Sequence, residues 1–215
     1  MRILVVAATE FEIAPLTRMI RHADQQRHRV EVVVTGVGMV AAAAHTSRAL
    51  ARSQFDVALN LGICGSFDPA LPLGAVVNVV SDTMPELGAE DGDAFLTIDE
   101  LGFGQRGAPF TDGRLVNAAA PANAALQRLP AVRGITVNTV HGNERSIAET
   151  AQRFVPQVES MEGAGFMYAA LLHGVACAQV RAVSNRVERR NRAAWKIDAA
   201  IANLCGVARE VIDTL

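Results

Sequence analysis

Little in this chain suits a polyanion, a membrane or an oxidising compartment. The formal net charge is −2 over 215 residues, with no block of like charge, so nothing supplies the cationic surface that nucleic acid requires. Cysteine is scarce: Cys64, Cys177 and Cys205 stand singly in apolar surroundings. An odd count without paired spacing fits neither a disulfide frame nor a zinc site, and the three read as small buried hydrophobes in a reducing compartment. No apolar run reaches the roughly 20 residues of a membrane-spanning helix. Met1 leads straight into a strand-like run, which leaves no space for a signal peptide. A cytoplasmic location is therefore expected, with a small-molecule partner and neither nucleic acid nor membrane. No linker, repeat or low-complexity tract divides the chain, and one domain spanning 1–215 is expected.

What is present is an alternation. Half the residues are hydrophobic. Short apolar runs at 3–8, 30–35, 57–61, 75–80, 136–140 and 175–183 read as strands buried on both faces. Between them, 10–22, 39–53, 121–129, 162–172 and 193–214 read as helices. That order predicts an α/β fold: a three-layer α/β/α sandwich around a central mixed, twisted sheet. The stretch 82–112 reads as one long irregular loop. It holds five acids between Glu86 and Asp99, then Gly102, Gly104, Gly107 and Pro109. Phe95, Leu96, Ile98, Leu101 and Phe103 give it something to bury, so it is expected to cover substrate or contact a second subunit.

Several strand ends carry chemistry, and in an open α/β sheet the loops outside the carboxyl ends of strands bind ligands. Gly36 and Gly38 fit a loose dinucleotide fingerprint, but the acid about twenty residues on, Asp56, falls before the next strand. A tight strand-to-helix turn near a ligand fits better. Asn60-Leu61-Gly62-Ile63-Cys64-Gly65-Ser66 ends a strand similarly, as backbone near a ligand or as plain turn chemistry. Glu10 and Glu12 open a helix, where the macrodipole alone favours acids; the alternative is a general base at the sheet edge. Glu162 also opens a helix, but Gly163, Ala164 and Gly165 weaken a helix start while allowing close ligand approach. A bidentate carboxylate matches a cis-diol, and Met161 offers a polarisable side chain to a sugar face. Arg181 lies in an otherwise buried strand and needs an anionic partner. Asn185 is a strand-end turn residue or an amide reading a base edge. Trp195 with Arg186, Arg189, Arg190 and Arg192 forms a solvated loop or a carboxylate-binding cluster.

Along nearly its whole length the chain resembles the nucleoside phosphorylase and nucleosidase superfamily, in its hydrolase branch with the methylthioadenosine/adenosylhomocysteine nucleosidases. Carrying that resemblance are the opening strand with Glu10 and Glu12, Thr35-Gly36-Val37-Gly38, Asn60-Leu61-Gly62, Ser160-Met161-Glu162 and Arg181-Ala182-Val183-Ser184-Asn185. Within the branch it looks most like the futalosine hydrolases, through 87–93, 136–140, 184–188 and 194–197. The resemblance implies that Glu12 activates water with Arg181 organising that end, that Met161 and Glu162 hold the ribose, and that Asn185 binds the purine. Gly38, Gly62, Ser160, Ser184 and Arg186 are expected to line the substrate. It also implies release of hypoxanthine in a route to menaquinone, a homo-oligomer, and no metal or redox cofactor.

One departure matters most: the methylthioadenosine enzymes carry aspartate where this chain has Asn185. An adenine presents a donor amine beside N7, which suits a carboxyl group, whereas a 6-oxopurine presents an acceptor. A carboxamide can donate to O6 and accept from a protonated N7 together, and a mismatched base would leave buried polar groups unpaired. Asn185 thus points to a 6-oxopurine leaving group. Glu12 would repel phosphate, which favours water as nucleophile. Arg186, Arg189, Arg190, Arg192 and Lys196 are the cations available for the benzoate that futalosine carries beyond its ribose. The alternatives are a nucleosidase or phosphorylase acting on inosine-like or methylthioadenosine/adenosylhomocysteine substrates, and a non-catalytic nucleotide-binding module.

Overall fold

The computed structural model describes residues 1–22, 27–104 and 109–215. The first strand, β1 (Arg2–Ala7), lies between the parallel strands β2 (Arg29–Val34) and β3 (Val57–Ser66). Its side chains alternate between two cores: Ile3, Val5 and Ala7 enter one cluster, Leu4 and Val6 the other, as the period of a strand requires. The first cluster is closed by helices α1 (Glu10–His22) and α6 (Ile197–Asp213), through Ile13, Leu16, Leu204 and Ala208. The opposite layer holds α2 (Met39–Arg52) and α5 (Gly163–Leu172), with Phe166, Met167 and Ala170 inward. α5 is apolar on nearly every side, as a helix enclosed by protein can be. It packs so closely that a Cβ on Gly165 would strike the Met39 carbonyl. The layers are those the alternation predicts.

The far half of the sheet curls. Strands β4 (Val76–Thr83), β9 (Ala131–Thr136), β10 (Val158–Ser160) and β11 (Ala176–Arg186) join β3 in a closed circuit of hydrogen-bonded neighbours, β3–β10–β9–β4–β11–β3. Cys64, Val77, Val79, Val132, Val158 and Val183 fill a core of their own here. β3 runs parallel to β1 and β11 but antiparallel to β10, so the sheet is mixed.

Several local expectations shift. The run read at 136–140 is not a strand: β9 ends at Thr136, and Val137 donates to the Ser160 carbonyl as the chain leaves the sheet. The helix read at 121–129 shrinks to α3 (Ala124–Gln127), started by the Asn123 side chain accepting from Leu126 N at 2.9 Å. The stretch 82–112 is more ordered than its composition suggests. It contains a hairpin of β5 (Gly88–Asp91) and β6 (Ala94–Thr97), turned at Gly92 with φ 62°, and β7 (Phe110–Thr111), which pairs with β8 (Arg114–Val116). Ile98 and Phe103 line a cleft of about 390 Å³ with Met84, Leu87, Phe110 and Tyr168; Gly107 lies outside the described residues. α4 (Glu144–Phe154), which no apolar pattern announced, buries none of its residues. Among the described residues, no helix is long and apolar enough to cross a membrane.

Candidate active site

Glu12 sits at the third position of α1, and part of its role is local. Thr9 N and Thr9 Oγ1 donate to its Oε2 at 3.1 and 2.9 Å, and Glu12 N donates back to Thr9 Oγ1 at 3.3 Å. This is a capping box, so the helix-start reading is correct as far as it goes. It does not account for Oε1, which accepts from Ile63 N on β3 at 3.1 Å. The carboxylate is buried, bridges a helix start to the central strand, and keeps lone-pair capacity on Oε1.

Glu162 is different. It precedes α5 but makes no capping bond. Ser160 Oγ accepts from Gly163 N at 3.3 Å and Thr136 Oγ1 accepts from Ala164 N at 2.7 Å, so other residues satisfy the start of α5. The Glu162 carboxylate is thereby left free to turn into the site, where Oε1 accepts from Gly38 N at 3.2 Å and Oε2 from Arg181 Nη1 at 3.4 Å. Gly38, at φ 105°, adopts a backbone conformation that side-chain-bearing residues rarely take. Met161, beside it, is half-buried.

Arg181 is 1 % exposed and finds the anionic partner its burial demands in Glu162. Its Nε also donates to Gln179 Oε1 at 3.2 Å, and its Nη2 to Asn60 Oδ1. Asn60 in turn donates to the Val6 carbonyl, which fixes its amide. Gly62 explains how two side chains reach one point on β3. A Cβ there would overlap the Arg181 guanidinium and lie 3.0 Å from Glu12 Oε1.

Asn185 follows a bulge. The β11–β3 register slips between Val183 and Asn185, so that Asn185 pairs with Gly65. Bulges of this kind re-aim side chains. Ser184 Oγ lies 2.8 Å from Asn185 Oδ1 and 3.2 Å from the Cys64 carbonyl, while Asn185 Nδ2 donates to the Arg186 carbonyl at 2.8 Å. These partners settle which end of the amide is oxygen. Gly65 again gives way, since a Cβ there would come within 3.1 Å of Asn185 Nδ2. Gly62 and Gly65 lie three residues apart on β3, about 10 Å at strand rise: Glu12 and Arg181 gather at the first and Asn185 at the second.

The remaining expected residues divide. Gly38 bonds Glu162, Gly62 lies against Arg181 and Glu12, Ser160 accepts at the start of α5 beside Glu162, and Ser184 bonds Asn185. Arg186 does not: its guanidinium donates to the Asp68 and Pro69 carbonyls at 2.6 and 3.2 Å, strapping a loop. Arg190 and Arg192 lie over the Trp195 ring, at 5.4 and 5.9 Å from its centroid, and Arg189 is exposed. The cysteines are free and buried, and burial pushes the Cys64 and Cys177 thiols up to about 12, which leaves them poor nucleophiles.

The sequence reading missed Asp82, Gln179 and Thr136, which are hydrogen-bonded into the network around Arg181 and the start of α5. Asp82 is 1 % exposed, accepting from Thr136 Oγ1 and Gln179 Nε2, both at 2.9 Å, and burial pushes its carboxyl up to about 6. The available signal was a polar side chain in or beside each of three apolar strands. A second missed group, His141, bonds the buried Glu159 through both its backbone and ring nitrogens, and Thr150 through Nε2. The Glu159 hydrogen bond holds that imidazole above its usual range. It fastens the segment after β9 and helix α4 to β10, next to Ser160.

Comparison with known proteins identifies the family. The family model described as the phosphorylase superfamily matches residues 2–213. A futalosine hydrolase of Streptomyces coelicolor is 39% identical over 180 residues, covering 81% of this chain and 74% of the relative. One from Acidothermus cellulolyticus is 35% identical over 176 residues, covering 81% and 71%. The solved futalosine hydrolase of Helicobacter pylori superposes with a TM-score of 0.82 at 15% identity, over 100% of this chain and 98% of that one, a likeness of fold. Since the family match runs through every element that carries Glu12, Glu162, Arg181 and Asn185, the chain belongs to the phosphorylase superfamily.

Proposed function

We propose that this protein is an N-glycosyl hydrolase, a futalosine hydrolase that uses water to release hypoxanthine and leave dehypoxanthine futalosine, a step toward menaquinone. The futalosine hydrolases at 39% and 35% identity support the substrate. One observation carries the choice of water over phosphate. The backbone donors that a glycine-rich turn would offer an anion are already engaged by the chain's own carboxylates, Ile63 N by Glu12 and Gly38 N by Glu162. A phosphate would have to displace one carboxylate and sit against the other.

In this reading Glu162 accepts from the ribose hydroxyls, each of its oxygens retaining capacity beyond the bond it already makes. Met161 lies on the sugar. Glu12 Oε1 takes a proton from water as the water oxygen attacks C1′. The C1′–N9 bond breaks with its electron pair passing to the purine, which takes a proton from solvent at N7. Asn185 donates to O6 and accepts from N7–H. The transition state is oxocarbenium-like, and carboxylates fixed before substrate arrives stabilise it without reorganisation. Arg181 orients Glu162 rather than meeting substrate. The benzoate lies toward the exposed Arg189, Arg190 and Arg192. We read residues 1–215 as one catalytic domain, and the enzyme as cytoplasmic and homo-oligomeric. Val37 and Val40, exposed where β2 passes into α2, offer an apolar contact.

The test is liquid chromatography of products from futalosine, from inosine with and without phosphate, and from methylthioadenosine. Hypoxanthine from futalosine should dominate, independent of phosphate. Ribose 1-phosphate formed from inosine faster than futalosine is hydrolysed would overturn the proposal.

A further inference from the structure

Asp82, on β4, is a buried acid that the chemistry above does not use, and burying a carboxylate is costly unless its bonds repay it. Both its oxygens act only as acceptors. Thr136 Oγ1 donates to Oδ1 at 2.9 Å and Gln179 Nε2 donates to Oδ2 at 2.9 Å. Because Gln179 turns its Nε2 to Asp82, its Oε1 must face the other way, toward Arg181 Nε at 3.2 Å. Arg181 then reaches Glu162 Oε2 through Nη1 and Asn60 through Nη2. The other arm runs from Asp82 through the Thr136 hydroxyl, which accepts from Ala164 N at 2.7 Å, to the first turn of α5. The whole assembly packs beneath the residue after Glu162. A Cβ on Gly163 would collide with the Gln179 amide and with the Asp82 carboxylate, so the helix start is pressed onto the relay.

We propose that Asp82 is a positioning residue for the reaction, fixing the donor–acceptor polarity of an Asp82–Gln179–Arg181–Glu162 relay that aims Glu162 at the ribose hydroxyls. The inference rests on the reading of Glu162 as the ribose ligand. Its logic is a forced alternation. With asparagine in place of Asp82, setting Nδ2 against the Thr136 hydroxyl would leave that hydroxyl proton without its acceptor, so the carboxamide accepts from Thr136 and turns its own Nδ2 toward Gln179. Gln179 must then reverse, presenting Nε2 to Arg181 Nε, donor against donor. Arg181 loses a bond and Glu162 loses the cation held in register beside it. A shape-filling role makes no such demand, because the two side chains are nearly isosteric. Reversing the second link repairs the first: with Gln179→Glu added, the new carboxylate accepts from the substituted carboxamide on one oxygen and from Arg181 on the other.

The experiment measures kcat and KM on futalosine and on its 2′-deoxy analogue for wild type, Asp82→Asn, Gln179→Glu and the double variant, with melting temperatures alongside. Each single variant is expected to lower kcat/KM on futalosine roughly 10–100-fold, the scale of one hydrogen bond to a charged group. Gln179→Glu does so by setting two carboxylates face to face. The preference for futalosine over the 2′-deoxy analogue should shrink about tenfold in Asp82→Asn, and the double variant should recover most of both losses. If Asp82→Asn fails to fold, Gln179→Met cuts the relay while sparing the Thr136 arm and should show the same loss of ribose discrimination. The proposal is overturned if the folded variants stay within about threefold of wild type. It is also overturned if both substrates fall together with discrimination unchanged, or if the double variant is no better than the worse single one. A wild type inactive on futalosine overturns the functional reading instead; the relay is then judged by the same comparison on the nucleoside that the enzyme does cleave.

Discussion

Glu12 holds two roles at once, and a pair of substitutions separates them. Glu12→Gln leaves one oxygen to serve three donors, Thr9 N, Thr9 Oγ1 and Ile63 N. The new amide must set its NH2 against one of these, and an unpaired buried donor costs about 1–3 kcal/mol. Thr9→Ala removes the capping hydroxyl, worth about 1 kcal/mol at a helix start. In a chain of this size each 1 kcal/mol moves the midpoint by about 2–4 °C, so both variants should melt a few degrees low, Glu12→Gln by the larger margin. Their catalysis should differ sharply. Loss of an acid–base group costs about 10²–10⁴-fold in turnover. Thr9→Ala keeps the carboxylate, with Ile63 N and Thr9 N still holding it, and should stay within about tenfold of wild type. Hypoxanthine release from futalosine and a fluorimetric melt give both numbers on the same preparations. Equal turnover in the two variants would reduce Glu12 to a capping residue and remove the proposed base.

Other consequences follow from single contacts. Asn185→Asp should shift preference from 6-oxo to 6-amino purines, read as the ratio of kcat/KM for inosine and adenosine; an unchanged ratio takes Asn185 out of base recognition. The Asp82 carboxyl, pushed by burial from 3.8 to about 6, binds a proton in the folded state that the unfolded chain has released. Wild-type stability relative to Asp82→Asn should therefore fall as pH rises through 4–6, by roughly 3 kcal/mol for a shift of about two units. Urea melts from pH 4 to 7 measure it, and a flat or rising difference refutes it. Gly165→Ala forces a methyl onto the Met39 carbonyl and should cost about 1–3 kcal/mol. Gly206→Ala meets open space inside α6 and should raise stability by about 0.5–1 kcal/mol, both read from thermal melts.

The layered architecture was legible because β1 and β3 are long and apolar, with Glu10 and Met39 opening helices close behind glycine or threonine turns. α4 was hidden because it buries nothing: its signal was the Asn143 cap, whose side chain accepts from Arg145 N and Ser146 N, and not a hydrophobic stripe. β9 was displaced because Arg133 and Gly134 interrupt its apolar run, while Thr136 at its end and Val137 and Val140 beyond it look more strand-like. The hairpin in 82–112 was masked by its acids, although Asp91-Gly92 is a recognised turn signal. In the site, Arg181 stood out as a charge in a buried strand, which demanded an anion. Its partner Glu162 lies only 19 positions away, across a helix. Asp82 gave a weaker signal. It sits at the end of β4, where an acid reads as a loop residue, and only the curl of the sheet brings it under α5.

The functional side chains share one design that no single motif expresses. Glu12 is held by Thr9 and Ile63, Glu162 by Gly38 and Arg181, Asn185 by Ser184 and the Arg186 carbonyl. Each is fixed by at least two partners, and each keeps hydrogen-bonding capacity unspent. Those partners do not stabilise the fold efficiently. A buried ion pair such as Arg181–Glu162 often gains nothing over well-packed apolar residues of similar volume. The glycines at 62, 65 and 163 also sacrifice side-chain packing to admit polar groups, and Gly38 supplies a backbone conformation instead. What the arrangement secures is orientation before substrate arrives. In the proposed reaction, carboxylates already desolvated and aimed need not reorganise as positive charge develops on the ribose, and the ordering cost has been met during folding. The same reasoning explains why two of those glycine positions fall on β3. β3 pairs with β1, β10 and β11, so that Glu12 from α1 and Asn185 from the β11 bulge both come against its glycines.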